Sequence, residues 1–258
     1  MPNDKRAPQN QRARRLKLIV AYDGAGFSGW QSQARGDTIQ DRLEAAFFQV
    51  TGEEIRVHGA GRTDAGVHAL GQCAHVDLPP NRLTPAVLAA ALNASLPSRI
   101  RILRGGFVAK TFHARFDAQG KVYRYRIATT PVFSPFELGR AWHVSGVLDD
   151  KVLRACARAF LGRHNFTGFA ANRGHPVAST IRTIRRVRVQ RTTSVTTIEF
   201  DGDGFLYKMV RLMVGAIVRA ALGKATLAEI RGHLLDGTPA EPRLVAPAEG
   251  LTLVRVRY

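Results

Sequence analysis

The sequence predicts an α+β protein made of two similar halves. Apolar and polar residues alternate in short runs on both sides of the chain's middle, as in half-buried strands. The order helix, loop, strands, helix occurs twice. With 258 residues, 45% of them hydrophobic, the chain can bury a substantial core. We divide it into a basic tail, residues 1–14, an N-terminal half, residues 15–111, and a C-terminal half, residues 112–258.

In the N-terminal half, two helices are predicted from their first residues. Asp37 and Thr38 form a cap before a helix with a periodic apolar face, and Thr84 precedes a proline that suits the first helical position. The second helix is expected to run to about Asn93. The predicted strands are Leu16–Tyr22, Ile55–Val57, Leu70–Leu78 and Arg101–Val108.

The C-terminal half repeats this arrangement. Asp149 and Asp150 begin one helix, and a long apolar helix is predicted from about Tyr207 to Leu222. The predicted strands are Lys121–Ala128, Ile181–Gln190, Val195–Phe200 and Leu251–Tyr258. In the first of these strands, Tyr123 and Tyr125 share one face.

The charge balance predicts a polyanionic partner. There are 38 Lys and Arg against 20 Asp and Glu, a formal charge of +18. No apolar run is long enough to span a bilayer and no lipidation signal is visible, so nucleic acid is favoured over a membrane surface. We interpret residues 1–14 as a disordered, solvated tail, with a basic arm on RNA as the alternative.

Cysteine and histidine usage favours neither a disulfide scaffold nor a metal site. Cys73 and Cys156 are far apart, and the eight histidines are scattered. The N-terminus is basic and polar, unlike a secretory signal, so we expect a cytoplasmic protein.

The run from Gly59 to Gln72 is the most informative segment. Its glycines surround Arg62 and Asp64, which places the carboxylate on a sharply folded loop. A neighbouring cation favours the ionised carboxylate, the form that a nucleophile or general base requires. The alternative is an ordinary glycine-rich turn.

Further arginines carry specific predictions. Arg211 lies in an apolar helical stripe, where a charge needs a partner, and we predict an ion pair with Asp64 rather than an exposed side chain. A second group alternates with valines on a strand, which favours either a surface that follows the RNA backbone or a merely solvated face. That group is Arg185, Arg186 and Arg188.

Five motifs, in order from about residue 15 to the end, resemble the tRNA pseudouridine synthase A family. Lys208 and Leu212 depart from the family pattern, which has His and Asn at those places. The motifs are Asp23–Gln31, the run from Gly59 to Gln72, Phe112–Tyr125, Phe205–Gly215 and Glu249–Leu253.

The resemblance implies a pseudouridine synthase fold, in which two ferredoxin-like halves join into one antiparallel sheet with helices on one face. It implies a homodimer without cofactor or metal that converts uridine to pseudouridine at positions 38, 39 and 40, in the anticodon stem–loop of tRNA. Asp64 would be the essential carboxylate, acting on the sugar, on the base or as a proton acceptor.

The resemblance also assigns the substrate contacts. Tyr123 would stack on the uracil, although a core role for this strand aromatic is the alternative. Leu251 would line the pocket, with a core role in its strand as the alternative. Arg62 would take the place of the extruded base, with a surface cation that steadies the loop as the alternative.

Two other function classes stay open at this point. A non-catalytic RNA-binding protein would share the basic surface but would not need Asp64. A retaining glycoside or nucleoside hydrolase would need a second acid, and the available candidate, Asp77, precedes two prolines and is interpreted as a turn residue.

Overall fold

A computed structural model describes residues 13–79, 83–172, 174, 177–239 and 244–258. It contains one large sheet with helices packed against it. The strands are β1 (Arg14–Tyr22), β2 (His58–Gly59), β3 (His68–Leu78), β4 (Ile100–Val108), β5 (Gly120–Ala128), β6 (Trp142–His143), β7 (Gly162–Asn165), β8 (Ile181–Arg191), β9 (Val195–Gly202) and β10 (Leu251–Arg257). The helices are α1 (Ile39–Thr51), α2 (Pro85–Ser95), α3 (Asp150–Arg158), α4 (Met209–Ala221) and α5 (Leu227–Asp236).

The sheet has the order β4-β1-β3-β10-β5-β9-β8-β7, with β2 beside β3 and β6 beside β5. Neighbouring strands are antiparallel except β10 with β3 and β6 with β5, which are parallel. The strands of the first part of the chain, β1 to β4, join those of the second part where β3 lies beside β10. The last strand of the chain, β10, therefore lies at the centre of the sheet. The predicted α+β class with one joined sheet is confirmed.

Successive side chains of each strand point to opposite faces of this sheet. Leu16, Leu18 and Val20 in β1 pack into one large core, to which all five helices contribute apolar side chains. On β3, Val76 lies in this core while Cys73 is buried among small residues of a separate cluster. Because these two residues are three apart in a strand, they face opposite sides.

The helix starts follow the predicted caps. The Thr38 hydroxyl accepts from the Asp41 backbone N–H in a capping box, and Thr84 and Asp149 cap α2 and α3. The long helix α4 begins two residues later than predicted. Lys208 has a left-handed backbone with φ of 57°, which does not continue a right-handed helix.

Some predicted elements are wrong or incomplete. Residues 55–57 form no strand; the chain pairs with β3 only at His58 and Gly59. β6, β7 and α5 were not predicted. Of the predicted tail, residues 1–14, the first twelve lie outside the described residues. Arg14 is the first residue of β1. No helix in the described part of the chain has the length and apolar character to cross a membrane.

Candidate active site

Asp64 lies on an irregular loop between β2 and β3. The backbone N–H of Val67 donates to the Asp64 carbonyl at 3.1 Å, which closes a tight turn. Gly66 within this turn has φ of 78°, a conformation that L side chains rarely adopt. The predicted sharp fold of the loop is confirmed.

Hydrogen bonds from three directions fix the loop. The Trp30 N–H donates to the Thr63 carbonyl at 3.0 Å, and the Gln72 amide donates to the Gly61 carbonyl at 2.8 Å. The hydroxyls of Thr63 and Tyr22 share a buried hydrogen bond of 2.8 Å. Burial raises the pKa of Tyr22 well above its usual value, so this phenol stays protonated. The backbone on both sides of Asp64 is therefore held in place.

Arg211 pairs with Asp64, as the sequence predicts. Arg211 Nη1 donates to Asp64 Oδ2 at 2.9 Å, and the two side chains are only 14% and 20% exposed. Arg211 Nε donates to the Ala246 carbonyl at 2.7 Å. The guanidinium is thus oriented by a second acceptor, which fixes the direction in which it meets the carboxylate.

A glycine on α4, Gly215, makes the hydrogen bond between Arg211 and the Ala246 carbonyl possible. A Cβ on Gly215 would collide with the backbone carbonyl oxygen of Leu244. Without that Cβ, the segment before β10, residues 244–247, lies directly against the helix, and the Ala246 N–H donates to the Arg211 carbonyl at 3.1 Å. Helix and segment together place the arginine.

The loop opens into a cleft of about 980 Å³. Arg62, Asp64, Tyr123 and Leu251 all line it. Tyr123 and Leu251 are largely buried, and the Tyr123 ring meets Phe205 edge to face at 5.0 Å. The Arg62 side chain is exposed and donates to Gln31 Oε1 at 3.1 Å.

Nearly all charged residues that line the cleft are cations. Among the described residues that line it, Asp64 is the single carboxylate. The cations that line it are Arg56, Arg62, Arg115, Lys121, Arg182 and Lys208. Such a lining attracts a polyanion toward one carboxylate.

Other charged residues lie elsewhere. Arg185, Arg186 and Arg188 are exposed on β8 but do not line the cleft, and Arg185 donates twice to the Gln119 carbonyl at 3.0 Å. Asp77 is not a turn residue: it lies in β3 and pairs with Arg15 at 2.7 and 2.8 Å.

Sequence reasoning did not select three residues of the cleft: Lys121, Arg115 and Phe116. The Lys121 ammonium lies where a Cβ on Gly61 would be 2.6 Å away. Burial and the nearby guanidinium groups, first that of Arg115, lower the pKa of Lys121 to about 8. All three lie in the motif Phe112–Tyr125, which resembles the family, so this motif could have indicated them as candidate site residues.

The arrangement combines an oriented carboxylate, an aromatic ring and surrounding cations. A carboxylate of this kind can attack a carbon centre or accept a proton. The Tyr123 ring, which lines the same cleft, can hold a flat heterocycle by stacking. Among the described residues, no group of three or more His, Cys, Asp or Glu could hold a metal ion.

Comparison with known proteins identifies the family. The model of the tRNA pseudouridine synthase family matches residues 18–117 and 156–258. A tRNA pseudouridine synthase A from Akkermansia muciniphila is 47% identical over 251 residues, 95% of each chain, and one from Methylacidiphilum infernorum is 43% identical over 242 residues, 94% of each.

A solved Cbf5–Nop10–Gar1 complex aligns with 93% of this chain and 49% of the solved chain, at 11% identity and a TM-score of 0.36. That likeness is too distant to add to the assignment. The alignments to these relatives span nearly the whole chain, at identities far above those of unrelated proteins. The family model covers the Asp64 loop and the helix of Arg211. The chain belongs to the tRNA pseudouridine synthase A family.

Proposed function

We propose that this enzyme isomerises uridine to pseudouridine in the anticodon stem–loop of tRNA and that Asp64 is its essential carboxylate. Membership of the family gives the reaction class, an isomerisation of uridine in tRNA. The observation that supports the assignment of Asp64 is its position. It is the one acid among the described cleft residues, and it is paired with Arg211 at 2.9 Å.

The reaction requires the bond between C1′ and N1 of uridine to break and a bond between C1′ and C5 to form. A proton leaves C5 and one is gained at N1, so no oxidant or reductant is needed. Asp64 could attack the sugar, attack the base or remove a sugar proton, and each role needs the ionised carboxylate that Arg211 faces. In the proposal, Tyr123 stacks on the uracil while it turns, and Leu251 limits the space on its other side.

Arg62 acts on the RNA rather than on the bond. A uridine within a paired stem must leave the helix before it can enter a cleft. Arg62 is exposed beside Asp64, so its guanidinium can enter the space that the extruded base leaves. Arg185, Arg186 and Arg188 would contact phosphates farther along the stem, and a second copy of the chain would complete the homodimer that the family resemblance implies.

Incubation with uridine-labelled tRNA transcript, followed by nucleoside analysis, tests the assignment. We expect pseudouridine from the wild type and a loss of at least roughly a thousandfold in turnover for Asp64→Asn, because the charge is lost while the shape is kept. RNA binding should persist. Asp77→Asn, which changes an acid outside the cleft, is the matched control and should stay active.

The other products would contradict the proposal in distinct ways. Free uracil would indicate a hydrolase, and no reaction by the wild type would indicate a binding protein. Transcripts in which cytidine replaces the uridines of the anticodon stem–loop test the position. They should yield no pseudouridine, and undiminished product would place the target elsewhere in the tRNA.

A further inference from the structure

Phe116 is an aromatic residue of the cleft to which the proposed function assigns no role. Its side chain is 75% exposed, although it lines the same cleft as Asp64. Single exposed apolar residues are common on protein surfaces and carry no meaning alone. Phe116 differs from the others because of how it is held and what surrounds it.

A series of rings supports Phe116. Its ring centroid lies 4.2 Å from that of His113, with 30° between the planes. The His113 ring lies 4.7 Å from the ring of His75, which is 2% exposed and stacks on His58 at 5.0 Å. The exposed ring is therefore attached, ring by ring, to a buried part of the sheet.

The backbone of the same turn is fixed. The Nδ1 atom of His113 accepts from the N–H groups of Arg115 and Phe116 at 3.1 and 3.3 Å. The Ala114 N–H donates to His75 Nδ1 at 3.2 Å. Burial lowers the pKa of His75 to about 4 and also lowers that of His113, so both acceptors stay unprotonated at neutral pH. The backbone that carries the Phe116 ring is therefore held by hydrogen bonds before any ligand binds.

Charge around the ring indicates the kind of ligand. The Arg115 guanidinium lies 5.7 Å from the centre of the Phe116 ring, and Lys121 and Arg182 line the same cleft. A rigid aromatic face surrounded by cations fits an unstacked nucleobase whose phosphates meet the cations. A protein partner with an apolar anchor would instead require a broader apolar surface.

We propose that Phe116 is the stacking surface for a second, unpaired nucleobase of the RNA substrate, distinct from the target uracil at Tyr123. The inference rests on the proposed use of the cleft as the RNA site. A base held there would fix the register of the loop relative to Asp64. The enzyme would thereby select RNA in which an unpaired nucleotide lies at a set distance from the target.

Affinity for an unmodified tRNA transcript, measured in the Asp64→Asn background so that no product forms, tests the proposal. Phe116→Ala should weaken binding about 5- to 150-fold, the range measured for loss of one base–aromatic stack. Phe116→Trp should bind within about threefold of the parent. Phe116→Leu keeps apolar contact without a ring and should resemble Phe116→Ala. Phe136→Ala removes an 88% exposed ring outside the cleft and should change nothing.

Abasic substitutions at each unpaired nucleotide identify the partner base. At one position, the abasic loss and the Phe116→Ala loss should not add, because both remove the same stack. Additive losses at every position, or Phe116→Leu binding as well as the parent, would overturn the proposal.

Variants of the surrounding cations separate this inference from the proposed function. If Arg182→Ala and Lys121→Ala weaken binding while Phe116→Ala does not, RNA lies in the cleft but no base stacks on Phe116. If all three bind like the parent, the cleft is not the RNA site and the proposed function fails as well.

Discussion

At the residue scale, the site depends on how the fold changes the properties of ordinary side chains. Arg211 would be a costly charge inside an apolar helix, but Asp64 and the Ala246 carbonyl both accept from it. Lys121 is enclosed near two guanidinium groups and has no carboxylate within ion-pair distance among the described residues. Its charge is therefore available to a phosphate.

The lowered pKa of Lys121 predicts a pH-dependent affinity for RNA. Near pH 8 the free protein loses the charge, whereas bound phosphate favours the charged form, so binding above pH 8 requires proton uptake. We expect affinity to fall about fourfold between pH 7 and 8.5 in titrations of Asp64→Asn with tRNA. Lys121→Arg should show a flat profile, because arginine does not titrate there.

Lys224→Arg, an exposed change outside the cleft, should keep the wild-type slope. A slope retained by Lys121→Arg would assign the titration to another group.

At the element scale, the contact between α4 and the segment before β10 links packing to the site. The segment supplies the Ala246 carbonyl to Arg211, and β10 then enters the sheet beside the strand of Tyr123. A disturbance of this contact should affect stability and chemistry together.

Gly215→Ala tests that link. The added methyl would meet the Leu244 carbonyl, so we expect a loss of about 1–3 kcal/mol in the free energy of unfolding, as for overpacking, with a fall in turnover as Arg211 shifts. Denaturant titration and the pseudouridine assay give the two values.

Gly232 on α5 provides the matched control. A Cβ there meets nothing within 4 Å, so Gly232→Ala should stabilise the protein by about 0.5–1 kcal/mol through helix propensity. If Gly215→Ala behaved like Gly232→Ala, the contact would not be tight.

At the scale of the whole molecule, the sheet separates a helix-covered face from an exposed one. On β8, Val187 and Val189 pack against the large core, and Arg186 and Arg188 alternate with them toward solvent. The two arginines of β5 are already paired, Arg124 with Glu199 at 3.0 Å and Arg126 with Glu137 at 2.5 Å. Among the described residues, no ion pair within 4.0 Å involves Arg186 or Arg188, and both side chains are exposed.

The charge of +18 predicts that RNA affinity falls linearly with salt on logarithmic axes. If the stem crosses β8, Arg186→Ala with Arg188→Ala should flatten the slope by about one or two units. Arg158→Ala, an exposed change at the end of α3, is the control and should leave the slope alone. An unchanged slope in the double variant would exclude this strand from the RNA surface.

The local features of the fold follow from the amino-acid sequence. Thr38, Thr84 and Asp149 predicted helix starts, because a cap is a contact within four residues. Helix α5 was missed although its capping box, Thr226 with Glu229, is readable in the sequence. The Asp64 loop and its pairing with Arg211 were predictable because glycine geometry and the cost of a lone buried charge are properties of the residues themselves.

Features that depend on contacts between distant parts of the chain could not be predicted from local sequence patterns. No local pattern could place β10 parallel to β3 at the centre of the sheet, or start β2 at His58 rather than Ile55, because strand partners are chosen by contacts across the whole core. The same holds for Phe116 and Lys121. Their exposure and pKa follow from the rings, guanidinium groups and backbone that the fold brings around them, and none of these neighbours is fixed by the adjacent residues alone.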